Sequence, residues 1–521
     1  MNSSKPTIGS ASLVEFLSKP SSYSEATAAV RVIETHISWV FLTDLYAYKL
    51  KKPVRFEFLD FSTLELRHQA CQDELRLNRR LAPNVYLAVL SVTQAAGDSF
   101  ELSGQGREVD WLVQMRRLPA ENSLDVVLRE ARLSSEDASE IADYLVEFYA
   151  RLSPEPIAAD AYQLALERHV RANGAALLNG QPAAQYLIRR IQTAQLRYLA
   201  VQSNLVASRA AAGRIVEGHG DLRPEHIYLN DRPAVIDCVE FSKELRTVDI
   251  ADELSFLAME CQRLEDGGLG ELVLATYQRN AGDKIPRSLL AFYRAYRACV
   301  RAKVVLLRGQ QQAEGDGSSA GLFKQYMDVA VRAASELGPH ALLIVGGLMG
   351  TGKSTLAEKL ADAFGIEVLS TDRIRRAMLG VSQSQTDYGE GHYHPEVRRR
   401  IYHELFRRAS ELLSERQSLI LDGTFLTREI RLRAYDAAQE YGAAAIYVQC
   451  TCPPQTAQRR IEARRKSDES ESEARPELYD RQARDFEPPG TNEPAVTVNT
   501  TQPMPRQLQS VYAELSRQLF D

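Results

Sequence analysis

The sequence predicts two successive folded units, an α+β unit followed by an α/β unit with a parallel sheet. Before residue 338, strand-like stretches are confined to 39–118 and 214–250, and helical periodicity fills much of the rest. From residue 341 onward, short apolar strands alternate with amphipathic helices, which is typical of parallel strands joined by crossover helices. The chain has 521 residues. One domain usually holds roughly 100–200 residues, so several packed regions are expected.

The composition is that of a globular protein without a general affinity for polyanions. Hydrophobic residues make up 44% and charged residues 25%, and the formal net charge is −6. A mildly acidic chain is a poor general binder of nucleic acids or membrane surfaces. The N-terminus has no signal-peptide pattern, and no apolar run approaches the ~20 residues that span a bilayer. We therefore expect a cytoplasmic protein without a membrane partner.

The first 338 residues predict an arm followed by a mixed region. Residues 1–30, rich in Ser and Pro, predict a mobile arm closed by a short helix over 12–18. The other predicted elements are strands over 39–42, 46–50, 85–94 and 111–118, helices over 61–81, most of 122–210 and 251–308, and short strands and loops over 214–250. An exposed loop over 309–321 precedes one more helix, which Gly338 and Pro339 terminate.

The rest of the chain predicts a strand-and-helix alternation with one charged connection. Its strands are predicted over 341–347, 366–370, 418–422, 444–449 and 495–498. The connection over 461–487 carries dense mixed charge, so it is either a solvated surface or a mobile lid, drawn here over about 455–490.

Residues 347–354, GLMGTGKS, carry the sharpest motif of the sequence. They fit G-x-x-x-x-G-K-[ST], with a strand before them and a helix after. Glycines let backbone N–H groups wrap phosphates, the lysine reaches the β- and γ-phosphates, and the serine hydroxyl ligates Mg²⁺. No NKxD guanine-reading motif is present, so ATP is the expected nucleotide. The predicted nucleotide contacts are Gly347, Gly350, Thr351, Gly352, Lys353, Ser354 and Thr355.

Charged residues follow three later elements of the same region. Asp372 comes after the second strand, at the edge where parallel strands end, and could take a proton from an attacking hydroxyl or cap the next helix. Arg375 could hold an anionic substrate group. Asp422 ends an apolar strand, which is typical of a carboxylate that orders Mg²⁺. Arg460 and Arg464, four residues apart, could close over the transferring phosphoryl or be surface arginines.

The region from about 340 to 521 resembles the P-loop small-molecule kinases, among them gluconate kinase, polynucleotide 5′-kinase, zeta toxins and chloramphenicol phosphotransferase. The matching features are the phosphate loop, the D-x-x-R of Asp372 and Arg375, the strand ending at Asp422, and the lid arginines. The resemblance implies phosphoryl transfer to a hydroxyl and leaves the acceptor open.

A second constellation lies upstream. Residues 219–226 read HGDLRPEH, and an apolar strand ends at Asp237. A loop aspartate followed by a strand that ends in aspartate is the protein-kinase layout, in which Asp221 would accept the hydroxyl proton and Asp237 would hold Mg²⁺. HGD in place of HRD resembles the aminoglycoside phosphotransferase family. His226 stands where that family has a metal-ligating Asn, and imidazole is a poorer Mg²⁺ ligand than an amide oxygen.

The N-terminal strands supply the matching partners. Lys49 on the strand 46–50 matches the phosphate-pairing lysine, with Glu74 on the following helix as its ion-pair partner. Lys51 shares the face of Lys49 and competes with it for this assignment. Residues 112–118, with Met115, resemble the hinge that reads adenine. In place of a glycine-rich loop stand residues 35–39, THISW, where Ser38 and backbone amides could substitute.

Together these features resemble a bacterial two-domain family. An aminoglycoside-phosphotransferase-like, protein-kinase-like α+β domain is expected over 31–338, with an N-lobe over 31–118 and a C-lobe over 119–338. An α/β P-loop NTPase domain with a parallel sheet is expected over 339–521. The resemblance implies a bifunctional ATP-dependent phosphotransferase with two ATP·Mg²⁺ sites, acting on hydroxyl groups of small molecules.

Two other functions stay open. A nucleic-acid end kinase would use a clustered arginine groove formed by residues 398–400 with Arg407 and Arg408. A nucleotide-sensing regulator would keep the kinase-like domain but bind ATP without transferring it. The sequence does not choose the acceptor or the oligomeric state.

Overall fold

The computed structural model describes residues 10–56, 59–95, 99–311, 317–379, 395–465 and 476–520. Its contacts divide the chain into two compact units. Unit 1 comprises Met1–Ile157 and Arg209–Tyr293, and unit 2 comprises Ala158–Ser208 and Arg294–Asp521. The division differs from the predicted boundary at 338–339, because the helices of two earlier stretches pack with the C-terminal sheet. The domain boundaries drawn from the sequence stay predictions.

The predicted helices and strands are present, together with short strands over 31–34, 55–56, 59–60 and 100–102 that were not predicted. Up to residue 157 they are α1 (Ser10–Leu17), β1 (Arg31–Glu34), β2 (Ser38–Leu42), β3 (Tyr46–Lys51), β4 (Arg55–Phe56), β5 (Leu59–Asp60), α2 (Leu64–Asn78), β6 (Tyr86–Gln94), β7 (Phe100–Leu102), β8 (Arg107–Arg116), α3 (Leu124–Arg129) and α4 (Ser135–Arg151). Next come α5 (Ala159–Gly180), α6 (Gln185–Val201), α7 (Ser203–Ala211), β9 (Ile215–Glu217), β10 (Ile227–Tyr228), β11 (Ala234–Val235), α8 (Lys243–Arg246), β12 (Thr247–Asp249), α9 (Ile250–Arg263), α10 (Gly267–Ala281) and α11 (Arg287–Gln311).

The remaining elements carry the predicted alternation. They are α12 (Gly317–Ser335), β13 (Ala341–Gly346), α13 (Lys353–Phe364), β14 (Glu367–Ser370), α14 (Thr371–Leu379), α15 (Pro395–Ser414), β15 (Leu419–Asp422), α16 (Arg428–Glu440), β16 (Ala444–Thr451), α17 (Pro454–Arg465), α18 (Pro476–Asp485), β17 (Ala495–Asn499) and α19 (Met504–Phe520). Residues 312–316 of the predicted loop and 466–475 of the predicted lid lie outside the described residues.

Unit 1 is built on a six-stranded antiparallel sheet in the order β1-β2-β3-β8-β6-β7. Helix α2 begins at Thr63, whose hydroxyl accepts from the N–H of Leu66. The arm expected to be mobile is packed where the structure describes it. Leu13, Leu17 and Tyr23 are buried in one apolar cluster with residues of β2 and β3, because the apolar side of α1 covers a sheet face that would otherwise be exposed.

Unit 2 contains a five-stranded, wholly parallel sheet in the order β14-β15-β13-β16-β17. Every residue of β13 is buried, and one apolar core lies on each face of the sheet, which is the expected pattern for parallel strands covered by helices. The predicted α+β unit and the predicted α/β unit with a parallel sheet are therefore confirmed.

Helix α6 packs within unit 2 although it lies well before the strands of the parallel sheet in the chain. Ala200 belongs to the same buried cluster as the residues of β13 and α13. The buried guanidinium of Arg197 donates to the backbone oxygens of Leu337, Gly338 and Pro339, just before β13. No helix within the described ranges is long and apolar enough to cross a membrane.

Candidate functional sites

The loop between β13 and α13 has the conformation that its glycines permit. Gly350 and Gly352 have φ angles of 75° and 84°, in the left-handed region that other residues enter at a cost. A Cβ atom on Gly350 would lie 2.6 Å from the backbone oxygen of Ala457 in α17. The glycine at this position is therefore required both by the turn and by the close approach of α17.

The first turn of α13 meets the end of β15. The hydroxyl of Ser354 donates to Asp422 Oδ2 at 2.8 Å, and Lys353 Nζ donates to the backbone oxygen of Leu348 at 2.7 Å. Asp422 is buried, and burial raises the pKa of its carboxyl despite the nearby ammonium of Lys353. A hydroxyl and a carboxylate are hard oxygen ligands, so this donor set fits Mg²⁺.

Asp372 lies at the start of α14, directly after β14. Its N–H donates to Ser370 Oγ at 3.3 Å, and Arg375 Nη2 lies 3.1 Å from its Oδ1. Its charge contributes to the raised pKa of Asp422, as expected where the carboxyl ends of neighbouring parallel strands meet. The side chain of Asp372 is 39% exposed and that of Arg375 is 11% exposed, so the aspartate faces the more open side.

Arg460 contacts the phosphate loop through Thr500. Its two terminal nitrogens donate to Thr500 Oγ1 and to the Thr500 backbone oxygen, both at 3.0 Å. The hydroxyl of Thr500 in turn donates to the backbone oxygen of Thr351 at 2.6 Å. Thr500 follows β17, and no sequence motif marks it as part of the site. Arg464 belongs to α17, and its side chain lies outside the described residues.

In unit 1, Lys49 connects two carboxylates. Its Nζ lies 2.9 Å from Glu74 Oε1 and 2.8 Å from Asp237 Oδ1. The ammonium of Lys49 holds the pKa of Asp237 well below its usual value. Lys51, the competing lysine, donates to the other oxygen of Glu74 at 2.6 Å and to Glu240. Glu74 therefore accepts from both lysines, and Lys49 is the one that also reaches Asp237.

Asp237 itself is in the left-handed region, with φ of 64°. A non-glycine residue keeps this conformation only when its surroundings stabilise it, and such residues cluster at functional sites. The N–H of Asp237 donates to the hydroxyl of Tyr86 at 3.1 Å, and the N–H of Cys238 donates to Asn78 Oδ1 at 2.9 Å. Tyr86 and Asn78 thus fix the turn, and neither had a sequence signal beyond strand or helix periodicity.

A buried glutamate braces the loop that bears Asp221. The N–H of His219 donates to Glu253 Oε2 at 2.9 Å, and the N–H of Gly220 donates to the other oxygen. Burial lowers the pKa of His219 to about 4, so its ring is neutral, and its Nε2 lies 2.9 Å from the backbone oxygen of Ile236. Asp249 caps α9, accepting from Ala251. Glu253 was not identified from the sequence.

Arg223 lies at the centre of the loop. Its Nε donates to Asp221 Oδ2 at 3.0 Å, and its Nη2 is 3.0 Å from His226 Nε2. The other ring nitrogen of His226, Nδ1, is 2.8 Å from the backbone oxygen of Asp221. His226 Nε2 is also 3.6 Å from Asp237 Oδ2. The structure therefore brings Asp221, His226 and Asp237 together, with Arg223 among them.

The two remaining predicted contacts lie at the sheet of unit 1. Met115 is buried on β8 beside Ala47 of β3, in an apolar cluster suited to the flat face of a base. Ser38, expected to help replace a glycine-rich loop, is buried at the hairpin between β1 and β2, and its N–H donates to Thr35 Oγ1 at 3.0 Å. In this arrangement that N–H is used inside the hairpin.

Comparison with known proteins gives matches to both parts of the chain. The model of the phosphotransferase enzyme family, APH, matches residues 47–287, and an AAA domain model matches residues 342–489. An uncharacterized protein of Mycobacterium tuberculosis is 34% identical over 450 residues, which are 84% of this chain and 86% of the relative.

Solved structures match about a third of the chain. A protein of Chloroflexus aurantiacus described as a kinase is 26% identical and covers 35% of this chain and 98% of its own, with a TM-score of 0.29. A gluconokinase from Sinorhizobium meliloti is 19% identical and covers 34% of this chain and 93% of its own, with a TM-score of 0.26.

Proposed function

Because the chain belongs to the two-domain family that joins an APH-type phosphotransferase domain to a C-terminal P-loop kinase domain, we propose that it is a bifunctional ATP-dependent phosphotransferase. Each unit has its own ATP·Mg²⁺ site, and the acceptors are hydroxyl groups of small molecules. The observation that carries this is the meeting of Ser354 and Asp422 at 2.8 Å beside the glycine-rich loop and Lys353.

In unit 2, each polar side chain at the sheet edge has a separate role. Ser354 and Asp422 hold Mg²⁺, and the bound ion supplies counter-charge to the phosphates. Lys353 exchanges its bond to the Leu348 backbone oxygen for the β- and γ-phosphates. Asp372 takes the proton from the acceptor hydroxyl, and Arg375, 3.1 Å away, orients that carboxylate or an anionic group of the acceptor. Arg460 and Arg464 stabilise the transferring phosphoryl.

In unit 1, the ion pair of Lys49 with Glu74 supports nucleotide binding. Lys49 leaves Asp237 to bind the phosphates while Glu74 keeps its position, and Asp237 becomes a ligand of Mg²⁺. Asp221 accepts the proton of the second acceptor. Met115 and its apolar neighbours contact adenine. This assignment makes the two sites independent in their residues, since each set belongs to one compact unit.

A regulatory role of unit 1 is the second candidate, and one observation favours it. Asp221 accepts a charge-assisted hydrogen bond from Arg223 at 3.0 Å, which occupies a carboxylate oxygen that would otherwise take the proton. If this bond persists with nucleotide bound, unit 1 binds ATP without transferring it. ATP binding without turnover by unit 1 would then report nucleotide level to unit 2.

Nucleic acid is not favoured as an acceptor. Two arginines of the candidate groove on α15, Arg407 and Arg408, both lie 2.8 Å from Glu404, and Arg407 also pairs with Glu411. These bonds lower the pKa of Glu404 to about 2. Arginines whose charge is matched by acids on the same helix turn leave little net positive charge for a phosphate backbone.

An acceptor screen tests the proposal. ADP formation is measured for the full chain over a panel of sugars, sugar acids, polyols and nucleosides, for wild type, Lys353→Ala and Asp221→Asn. We expect one class of acceptor lost with Lys353→Ala and another lost with Asp221→Asn. If Asp221→Asn changes no activity while Lys353→Ala removes all of it, unit 1 is the regulator. If no acceptor of the panel supports ADP formation at saturating ATP, transfer to small hydroxylated molecules is contradicted.

A further inference from the structure

The hydrogen bonds around His226 determine where its proton lies. Nδ1 is 2.8 Å from the backbone oxygen of Asp221, an atom that can only accept, so Nδ1 carries the hydrogen. Nε2 is 3.0 Å from Nη2 of Arg223, a group that can only donate. Nε2 must therefore present its lone pair to Arg223. The ring is the neutral Nδ1–H tautomer, with both nitrogens engaged.

This tautomer removes His226 as a ligand of a metal ion. A divalent cation needs the same lone pair that Arg223 uses, and a cation at Nε2 would lie against the guanidinium. The predicted metal role of His226 therefore conflicts with its hydrogen bonds. What the histidine does instead is hold the guanidinium next to Asp221 and on the side of Asp237, whose Oδ2 is 3.6 Å from Nε2.

Arg223 is well fixed in this place. Its side chain is 11% exposed, Asp221 Oδ2 receives two of its nitrogens at 3.0 Å, and Glu225 Oε1 lies 3.4 Å from Nη1. These neighbouring carboxylates raise the pKa of the guanidinium further, against the effect of burial. A permanent positive charge, planar and oriented by three side chains, thus lies against Asp221.

We propose that the site of unit 1 takes a single divalent cation, held by Asp237, because the ring nitrogen of His226 that could hold a second cation is engaged by Arg223. The inference rests on the proposed nucleotide site of unit 1 and specifies its ion content. His226 is a positioning residue, because it acts through Arg223. The Asn that the aminoglycoside phosphotransferase family has at this position would supply an amide oxygen for a second cation, and His226 instead binds Arg223.

The number of Mn²⁺ ions bound per nucleotide tests the proposal. The full chain carrying Lys353→Ala, which silences the site of unit 2, is mixed with equimolar AMP-PNP and titrated with Mn²⁺, and free Mn²⁺ is measured by electron paramagnetic resonance. We expect one Mn²⁺ per bound AMP-PNP. Adding His226→Asn should raise the count to two, since the amide oxygen becomes a ligand and Arg223 loses its acceptor. The matched control Lys353→Ala/Asp237→Asn should retain no Mn²⁺ of this class.

Three outcomes overturn the inference and differ from one another. Two Mn²⁺ in Lys353→Ala that fall to one with His226→Ala would make the histidine a ligand. A count that stays at one with His226→Asn, while circular dichroism shows an intact fold, would mean that the hydrogen bond between His226 and Arg223 is not what limits the site to one ion. Absence of AMP-PNP binding in Lys353→Ala would remove the proposed site of unit 1 itself. The first measurement needs no change at His226, so a misfolded variant does not decide the result.

Discussion

Two carboxylates at one sheet edge of unit 2 have different surroundings, and these divide their roles. Asp422 is buried and accepts from Ser354 at 2.8 Å, which suits a metal ligand. Asp372 is more open and has Arg375 beside it, which suits contact with an acceptor. A carboxylate on the open side, rather than the one occupied by the serine, is the better candidate for general base.

Replacing Asp372 by Asn should therefore separate chemistry from binding. Asn keeps the shape and the start of α14 but removes the basicity, so turnover should fall by about 10²–10⁴ with ATP affinity nearly unchanged. Steady-state turnover and nucleotide titration of the full chain measure the two effects. Asp362→Asn, at an aspartate of α13 that is 76% exposed, is the control and should behave as wild type. Wild-type turnover of Asp372→Asn would move the base elsewhere, with Asp422 next to be tested.

At the scale of elements, the sequence predicted most of the strands and helices because their signals are local. The apolar runs of β13, β15 and β16 and the G-x-x-x-x-G-K-[ST] turn can each be read from a few consecutive residues. The partners that complete the sites do not. Thr500, Glu253 and Tyr86 reach the sites only through tertiary packing, and each resembles an ordinary residue of a loop, helix or strand.

The same limit explains why the hydrogen-bond partner of His226 could not be predicted from the sequence. Its position in HGDLRPEH could be read from the sequence, and so could its difference from Asn. The identity of its hydrogen-bond donor, Arg223, depends on the side-chain directions within a tight loop. The arm over residues 1–30 shows the converse case, since polar composition predicted mobility while three apolar side chains spaced along it are buried.

The substitution Gly350→Ala tests whether the phosphate loop needs glycine at this position. Ala at position 350 must adopt a left-handed conformation, which costs about 1–2 kcal/mol, and its Cβ would meet the backbone oxygen of Ala457 at 2.6 Å. If the loop moves to relieve this, nucleotide affinity of unit 2 should fall about tenfold or more, since ~1.4 kcal/mol is a factor of ten. Nucleotide titration in an Asp237→Asn background isolates this site.

The control for that change is another left-handed glycine of the same unit. Gly442 has φ of 68° and nothing within 4 Å of the added Cβ, and it follows α16 away from the phosphate loop. Gly442→Ala should lower thermal stability and leave nucleotide affinity unchanged. Equal loss of affinity in both variants would show that backbone strain acts through global stability and not through the loop.

At the scale of the molecule, unit 2 includes helices that precede the P-loop region in the chain. Arg197 of α6, 2% exposed, donates to three successive backbone oxygens at the entrance to β13. Burial without a carboxylate partner lowers the pKa of this guanidinium to about 10. The cation is retained because it donates to these three oxygens, and the oxygen of Leu337 belongs to a buried residue, where a backbone acceptor needs a partner.

Arg197→Met should therefore destabilise unit 2. The change leaves three backbone oxygens without this donor, of which that of Leu337 belongs to a buried residue, and this should lower the free energy of unfolding by about 1–3 kcal/mol. Urea denaturation of the full chain, followed by a probe in unit 2, measures the effect. Arg332→Met, at an exposed arginine of α12, is the control and should change stability little. A loss of less than ~0.5 kcal/mol, the range of surface substitutions, would mean that α6 is not part of the folding unit.

The central claim is that one chain carries two independent ATP sites, and calorimetric titration with a non-hydrolysable ATP analogue and Mg²⁺ tests it most directly. We predict two nucleotides bound per wild-type chain, one in Lys353→Ala, one in Asp237→Asn and none in the double variant. The remaining site in each single variant should keep its wild-type affinity, since the two sets of residues lie in different compact units. Loss of all nucleotide binding in Lys353→Ala, with the fold intact, would contradict the account, because it would leave a single site at the phosphate loop.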